Sequence, residues 1–538
     1  MIDVIEINEH NLWFRSDIGD LFGDIKPKFV NHNHTFHDTY WVPVSKYILQ
    51  KMLSYEYNEQ LALALEKLES KAIQIQINAK NNQNDLLRDY QKLGVARIRA
   101  DNHLLIWEMQ TGKTATVCNA LANTNKAIVF IEKGHEYKWI EEFKKFANRT
   151  DVYLISAKMT ESERCKFVDD LVERQDKFIL LMNSHLLTKT SCLVSIKHFD
   201  HMVIDEGHWL TNPKTRRSEE MSWLRRKVDK VCILSGTPTN KSPAEIIELL
   251  KFMYGQKKFA KCNYHPYFFE QIKSYYTSVP VCGKLLDNRK EEWKSFLEQY
   301  SSNVLMHENL KPKVKRVSQI LTLHPDHRQL YQKLIQSYSY GDITLNHVVQ
   351  LIVRAQQMAL CPQLLQLDLP AEHEAKWVWL QWYLKQNPYE QIIVFSPFTS
   401  YLDLLFERLV KLGYQCTKVT GQTSASKRNQ AVNAFQNKQV QILLANTIAG
   451  SKGWTLNQAD TIIFLSRDWS PINNDQAEAR FNAQGVGINH NKKIIDVIAD
   501  NTIEEHVINV INNKWDKTKV VNEYIKILTQ ERTRNFGN

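Results

Sequence analysis

Nowhere in its 538 residues does the chain carry an apolar run approaching the roughly 18 to 20 residues that a bilayer-spanning helix needs. That excludes a transmembrane bundle. Its eight cysteines include no CxxC pair, which argues against a zinc ribbon or a disulfide framework and for reduced thiols in a reducing compartment. The first residues, MIDVIEINEHN, are acidic and polar and lack the basic start and apolar centre of a secretory signal. The expectation is a cytoplasmic protein with no membrane partner. Short-period repeats and low-complexity tracts are also missing. Neither sign of charge dominates: 69 Lys and Arg against 59 Asp and Glu give +10, which permits nucleic-acid binding without demanding it.

What is present is ordinary globular material, 43% hydrophobic and 24% charged, long enough for two or three domains. Residues 1–80 stand apart, with early aromatics and histidines and then an amphipathic helix from about Ser45 to Ile77. NAKNNQND (Asn78 to Asp85) reads as a linker. From 86 to 254 short apolar strands alternate with helical stretches, with strands expected at 127–131, 152–156, 178–182, 201–205 and 230–236. Residues 255–375 lose the alternation and read as mostly helical and basic. It returns over 376–507, with strands near 391–396, 415–421, 440–445, 461–466 and 493–499, and 508–538 forms a tail. The fold class is α/β: two parallel-sheet lobes, a helical insertion between them and a small N-terminal module.

Three strings carry chemistry. QTGKT (Gln110 to Thr114) follows the apolar strand residues Leu104, Leu105 and Ile106 and opens a helix, where unsatisfied N–H groups and the helix dipole favour phosphate. VIDEGHWLTNP places Asp205 and Glu206 at the end of a β-branched run, and ILSGTP (Ile233 to Pro238) ends another. In a nucleoside triphosphatase Lys113 would neutralise the β- and γ-phosphates and Thr114 would ligate Mg²⁺. Asp205 would hold that ion through its water shell, and Glu206 would polarise the attacking water. A Gly-Lys-Thr alone also fits a surface turn, and the strict P-loop pattern fails because Trp107 stands where a glycine is expected. The order and placement of all three strings make the case. Basic runs at 214–217, 225–227, 257–258 and 311–316 fit either a solvated surface or phosphate contacts.

Over Leu86 to Val507 these strings and others resemble the switch/sucrose-nonfermenting branch of superfamily-two helicases and DNA translocases. LLRDYQKLGV matches the motif whose glutamine, here Gln91, reads adenine. IIVFSPFTSYLDLL, VTGQTSASKRNQAVNAF, LLANTIAGSKGWTL, RDWSPINNDQAEAR and TIEEHV follow in the family's order. The resemblance implies two RecA-like lobes and ATP with Mg²⁺. Nucleotide contacts are implied from Gln91, Gln110, Thr111, Gly112, Lys113, Thr114, Gly453 and Gln476, metal contacts from Thr114 and Asp205, and an arginine at the γ-phosphate, Arg480. Two departures stand out: Ala483 replaces the family's second arginine, and Gln110 replaces a glycine.

The resemblance further implies sequence-independent, salt-sensitive movement on double-stranded or branched DNA, with a monomer as the default. Replication, recombination or repair is the expected setting, and a bacterial or viral source fits the short layout. Ala483 and Gln110 leave open a slow or non-hydrolysing ATP-gated clamp, and a translocating subunit of a restriction or defence complex is a further alternative. In NHNHTFHDTYW, His32, His34, His37 and Asp38 invite a metal reading, but residues up to Ile77 supply no further ligand at metal spacing. The plainer reading is a hairpin-rich module with Phe29, Phe36, Tyr40 and Trp41 as its core; a DNA-junction binder using aromatic stacking is the intermediate one.

Overall fold

The structure, a computed structural model, describes residues 2–513 apart from 8–9, 17–27, 30–38, 56–57, 109–110, 133, 175, 195, 197, 237–242, 256–263, 273–280, 305–313, 338–344, 448–455, 457 and 480–491. It forms two compact units, Met1–Leu305 and Met306–Asn538.

The first unit opens with strands β1 (Ile2–Ile7), β2 (Asn11–Ser16), β3 (Lys28–Phe29) and β4 (Thr39–Pro43) in an antiparallel sheet ordered β1-β2-β4-β3. Its main sheet comprises β5 (His103–Trp107), β6 (Lys126–Ile131), β7 (Val152–Ile155), β8 (Phe178–Asn183), β9 (Phe199–Ile204) and β10 (Val228–Ser235). After a short antiparallel pair, β11 (Phe269–Ile272) and β12 (Val281–Leu285), strand β13 (Ser301–Val304) joins that sheet. All seven strands run parallel in the order β13-β5-β10-β9-β6-β8-β7.

The apolar runs explain this arrangement. Leu104, Ile128, Leu180, Met202 and Ile233 enter one core while their neighbours Leu105, Val129, Leu181, Val203 and Leu234 enter the other. Both faces are therefore covered by helices, as a parallel sheet requires. Each such side chain contributes about 1.5–3 kcal/mol on burial.

The second unit repeats the plan. Strands β14 (Val314–Leu321), β15 (Ile392–Ser396), β16 (Cys416–Val419), β17 (Ile442–Asn446), β18 (Thr461–Phe464) and β19 (Lys492–Ala499) form a parallel sheet ordered β14-β19-β18-β15-β17-β16. Ile392 and Val394 face one core, Ile393 and Phe395 the other. Every strand expected from the alternation lies within two residues of its observed ends. Among the described residues no helix is long and apolar enough to cross a membrane.

Three expectations change. The single helix from Ser45 is two, Lys46–Tyr55 and Glu59–Lys80, because the Asn58 side chain accepts from the N–H groups of Gln60 (2.9 Å) and Leu61 (3.2 Å) and starts a new helix. The linker is not loose: Asn78 to Lys80 finish that helix, Asn82 Nδ2 donates to Asn119 Oδ1 at 3.0 Å, and Asn84 Nδ2 donates to the Phe146 carbonyl at 3.2 Å. The described parts of 255–375 are mainly helical, but they also supply an edge strand to each sheet. β13 (SSNV) is polar and β14 (VKRVSQIL) is charged, so neither shows the apolar run of an interior strand.

The N-terminal sheet is built differently from the expected aromatic core. Leu12, Phe14, Val42, Val44, Ile48, Leu49, Met52 and Leu61 fill its interior. Trp41 points the other way, into the main core, where its ring meets Tyr264 (5.6 Å) and Tyr267 (5.1 Å). His10 Nδ1 lies 2.8 Å from the Tyr300 hydroxyl, and Gln299 Nε2 donates to the Val44 carbonyl at 2.7 Å. Tyr40 is half-buried against the module's own interior; the side chain of Phe29, with Phe36 and the metal candidates His32, His34, His37 and Asp38, lies outside the described residues.

Candidate nucleotide site

The P-loop leaves β5 at Trp107 and re-enters regular structure in the helix Lys113–Ala120. Gly112, with φ 82° and ψ 33°, makes the turn in the left-handed region that favours glycine. Around it the loop is cross-braced. The Thr111 hydroxyl donates to the Glu108 carbonyl (2.7 Å), the Tyr90 hydroxyl to the Thr111 carbonyl (2.8 Å), and Gln91 Nε2 to the Thr111 and Gly112 carbonyls (3.3 Å each). Gln91 Oε1 accepts from the Arg88 N–H at 2.8 Å, so both ends of that amide are engaged. Lys113 Nζ donates to the Trp107 carbonyl at 2.8 Å and Thr114 is half-buried in the first helical turn.

Trp107, the departure from the strict pattern, has a packing role. Its indole is buried, Nε1 donates to Ser302 Oγ at 2.9 Å, and its ring meets Tyr90 edge-on at 5.4 Å. A Cβ on Gly94 would lie 2.8 Å from that ring, so glycine there makes room for the indole.

β10 lies between β5 and β9, so the P-loop and the Asp205–Glu206 pair flank its carboxyl end, the usual ligand position in such sheets. The Asp205 N–H donates to the Phe130 carbonyl at 2.9 Å, and its carboxylate lies 3.8 Å from His135 Nδ1. Burial opposes ionisation of Asp205, but His135, Lys113 and Lys138 outweigh it and hold the carboxyl below the usual range. Glu206 is left-handed (φ 48°), a conformation disfavoured for a non-glycine residue and typical of residues aimed into a site. It is buried, with Oε2 accepting from the Ser235 hydroxyl at 3.5 Å and lying 3.7 Å from His208 Nδ1. Gly207 follows because a Cβ there would fall 2.5 Å from Ile233 Cγ2. Sequence reasoning missed His135 and Tyr90; the first stands in GHE just after β6 and the second beside Gln91, with no motif spacing to flag either.

In the second unit Gln476 is buried on the helix Pro471–Ala479. Asp468 Oδ1 caps its start, accepting from the Ser470 N–H (2.8 Å) and Asn473 Nδ2 (3.2 Å). Glu478 near its end receives Arg467 Nη1 at 2.6 Å and Arg316 Nη1 at 3.1 Å, while Arg467 Nε donates to Asp496 at 2.5 Å. Burial would raise the Glu478 carboxyl, yet the two arginines hold it low. Gln356 binds the same segment, donating to Ser466 Oγ (2.8 Å) and accepting from Trp469 Nε1 (2.9 Å). Gln110, Gly453, Arg480 and Ala483 lie outside the described residues.

The basic runs divide. Arg225 donates to the Met253 carbonyl, Lys227 Nζ to the Ile196 carbonyl (3.1 Å), Arg217 lies 3.8 Å over the Trp209 ring, and Arg316 pairs with Glu478. Those four hold the fold. Lys214 and Arg226 are exposed, and Arg216 is exposed beside Glu220 (3.0 Å). Residues 257–258 and 311–313 lie outside the described residues.

A P-loop and a carboxylate pair at the ends of the two strands that flank β10, followed in the chain by a second parallel-sheet unit, define the class of a candidate nucleotide-binding α/β protein. The SNF2-related domain family matches residues 90–368 and the helicase conserved C-terminal domain matches residues 375–482. The chain belongs to the SNF2-related family. It is 23% identical over 513 residues to mouse SWI/SNF-related matrix-associated actin-dependent regulator of chromatin subfamily A member 1, covering 89% of this chain and 47% of that protein. An uncharacterized ATP-dependent helicase of Mycoplasma genitalium is 24% identical over 503 residues, covering 88% and 46%. The chain thus spans about half the length of the curated relatives it matches. A solved Sulfolobus solfataricus SWI2/SNF2 ATPase core in complex with dsDNA aligns with 18% identity and a TM-score of 0.35, over 81% of this chain and 92% of that one.

Proposed function

We propose that this chain couples ATP hydrolysis to sequence-independent movement on double-stranded or branched DNA, in replication, recombination or repair. The observation that carries the reading is the convergence of Gly112, Lys113 and Thr114 with Asp205 and Glu206 around the end of β10. The donor set fits a nucleotide and a hard cation: a left-handed glycine at a helix N-terminus, a hydroxyl at Thr114, and a carboxylate at Asp205 kept ionised by its surroundings. When bound, Mg²⁺ neutralises charge on the β- and γ-phosphates; Thr114 and Asp205 would hold it.

Lys113 exchanges its loop carbonyl partner for phosphate oxygens. Glu206, aimed by its left-handed backbone, orients the attacking water, and Ser235 at the end of β10 ties that carboxylate to the Gly-Thr-Pro segment that follows. Gln91 supports the loop from behind while reading the base. The family resemblance also assigns nucleotide contacts to Gln476 and Arg480, and Gln476 is carried on the helix Pro471–Ala479, braced through Glu478. Residues 86–254 and 376–507 supply the two lobes, and Lys214, Arg216 and Arg226 contribute phosphate contacts on DNA.

Steady-state ATP hydrolysis without nucleic acid, and with duplex, single-stranded and four-way-junction DNA, tests the reading, with Lys113→Ala as the blank. Stimulation by duplex or junction DNA that vanishes in the blank supports it. Bound ATP with background hydrolysis on every DNA supports the slow clamp instead, the reading favoured by Ala483.

A further inference from the structure

Two histidines and an aspartate far from the nucleotide residues in sequence bring their ligand atoms together in the second unit. His324 follows β14, Asp326 lies in the first turn of the helix Pro325–Ser337, and His373 ends the short 3₁₀ turn Ala371–His373. His373 Nδ1 lies 3.0 Å and His324 Nδ1 3.6 Å from the same oxygen, Asp326 Oδ2. One ligand atom from each residue falls within 4.8 Å of the other two. The imidazoles stack, with centroids 3.6 Å apart and planes tilted by 12°. The Asp326 N–H donates to His324 Nδ1 at 3.3 Å, so that nitrogen carries its lone pair, which an ion would take over from the N–H. His373 Nδ1 is buried and faces the carboxylate without a hydrogen bond of acceptable geometry.

We propose that His324, Asp326 and His373 form a binding site for Zn²⁺ or a similar borderline divalent transition metal. Two imidazoles and one carboxylate are the donor set such ions select, whereas Mg²⁺ and Ca²⁺ want more oxygens than Asp326 offers. Tetrahedral zinc with bonds of about 2.0–2.1 Å sets neighbouring ligand atoms about 3.3 Å apart. The observed 3.0 and 3.6 Å bracket that value. Sharing one ion requires a ring to turn out of the stack, and His324, with 39% of its side chain exposed, has the room. Both histidines line a groove of about 620 Å³ with Thr322, Trp379 and Trp382, which gives water access to a fourth position.

The site would staple the start of the helix Pro325–Ser337 to the residues entering the helix Ala375–Gln386. His373 falls between residue 368, where the SNF2-related match ends, and residue 375, where the helicase C-terminal match begins. The ion therefore pins the segment that joins the two matched domains. A second cluster, His198, Asp200 and Asp229, is a poorer candidate because Asp200 Oδ2 already accepts from the N–H groups of Asn125 (2.8 Å) and Lys126 (3.1 Å).

The test is Co²⁺ and Zn²⁺ titration of the chelator-treated full chain, read by visible absorption of bound Co²⁺ and by metal content. One ion with the intense absorption of tetrahedral Co²⁺ is expected. Affinity should fall more than about 100-fold in His324→Ala/His373→Ala. It should persist in His198→Ala and in His32→Ala/His34→Ala/His37→Ala. Asp326→Asn gives the same answer should the double variant fail to fold. No bound ion, equal binding by the double variant and Asp326→Asn, or loss confined to the His198 or N-terminal variants would overturn the proposal and leave His373–Asp326 as a simple ion pair.

Discussion

The side-chain amide of Gln91 donates to the Gly112 carbonyl at 3.3 Å, and a Cβ at position 112 would sit 2.2 Å from that same nitrogen. Glycine is therefore required twice, for its left-handed φ and for the approach of Gln91. Gly112→Ala should cost about 1–3 kcal/mol of stability and abolish ATP hydrolysis. Gln91→Ala/Gly112→Ala should recover the part due to contact but not the part due to backbone. Thermal unfolding of these two variants and of Gln91→Ala separates the two contributions; equal loss in both Gly112 variants would show that the amide does not crowd the loop.

Glu206→Gln keeps the shape of the side chain and its neighbourhood with Ser235 while removing the charge that orients water. Hydrolysis should fall about 10²–10³-fold while nucleotide affinity changes less than about threefold. Parallel measurement of turnover and of binding of a fluorescent ATP analogue checks this. Affinity falling as far as turnover would place Glu206 in nucleotide binding or folding instead.

Acid should weaken the first unit through two buried imidazoles. Burial, helped by Arg97 and Lys71, pulls His103 down to about 3, and burial with Lys230 pulls His201 to about 4 against Asp200. A histidine whose folded pKa lies below its unfolded value of about 6.5 binds fewer protons when folded. Its stabilising contribution is full above pH 6.5 and is lost as pH falls toward 3 to 4. Urea unfolding between pH 4 and 7 should show stability rising with pH, with a shallower slope in His103→Gln. An unchanged slope in that variant would exclude His103 as a source.

Lys376 Nζ is buried against the Glu504 carboxylate (2.5 Å) and the Val497 carbonyl (2.9 Å). Lys376→Met leaves Glu504 charged inside the second unit and should cost about 3–5 kcal/mol. Lys376→Met/Glu504→Gln should recover much of that in denaturant melts. A single variant as stable as the parent would mean Glu504 finds water.

Trp41→Ala should destabilise the first unit by about 3–5 kcal/mol, because the indole fills a core shared with Tyr264 and Tyr267. Ile5→Ala, 44% exposed on the edge strand β1 of the same sheet, should change stability by less than about 0.5 kcal/mol. A function for the N-terminal sheet is therefore better sought with exposed side-chain substitutions than by deleting residues 1–80, which would open that core.

The interior strands were legible because a parallel sheet buried on both faces needs unbroken apolar runs, such as AIVFI at 127–131 and IIVF at 392–395. The placement of Lys113 at a helix start and of Asp205 and Glu206 just past a strand was legible from their neighbours. The edge strands β13 and β14 were not, since one polar and one charged segment carry no such run. Nor was the orientation of Trp41, whose partners Tyr264 and Tyr267 lie more than 200 residues away. His135 beside Asp205 depends on two strands, β6 and β9, becoming neighbours, which no local pattern announces.

His10 meets Tyr300, and β5 is flanked by β13, so the earliest strands and the central sheet both wait for residues near 300. At about 5–20 residues per second the ribosome needs roughly 15–60 s to supply them. Until then one flank of β5 lacks its neighbour, and Trp41 lacks its ring partners until Tyr264 and Tyr267 have been made. The first unit can therefore complete its sheet and its N-terminal contacts only after residue 304 has been made.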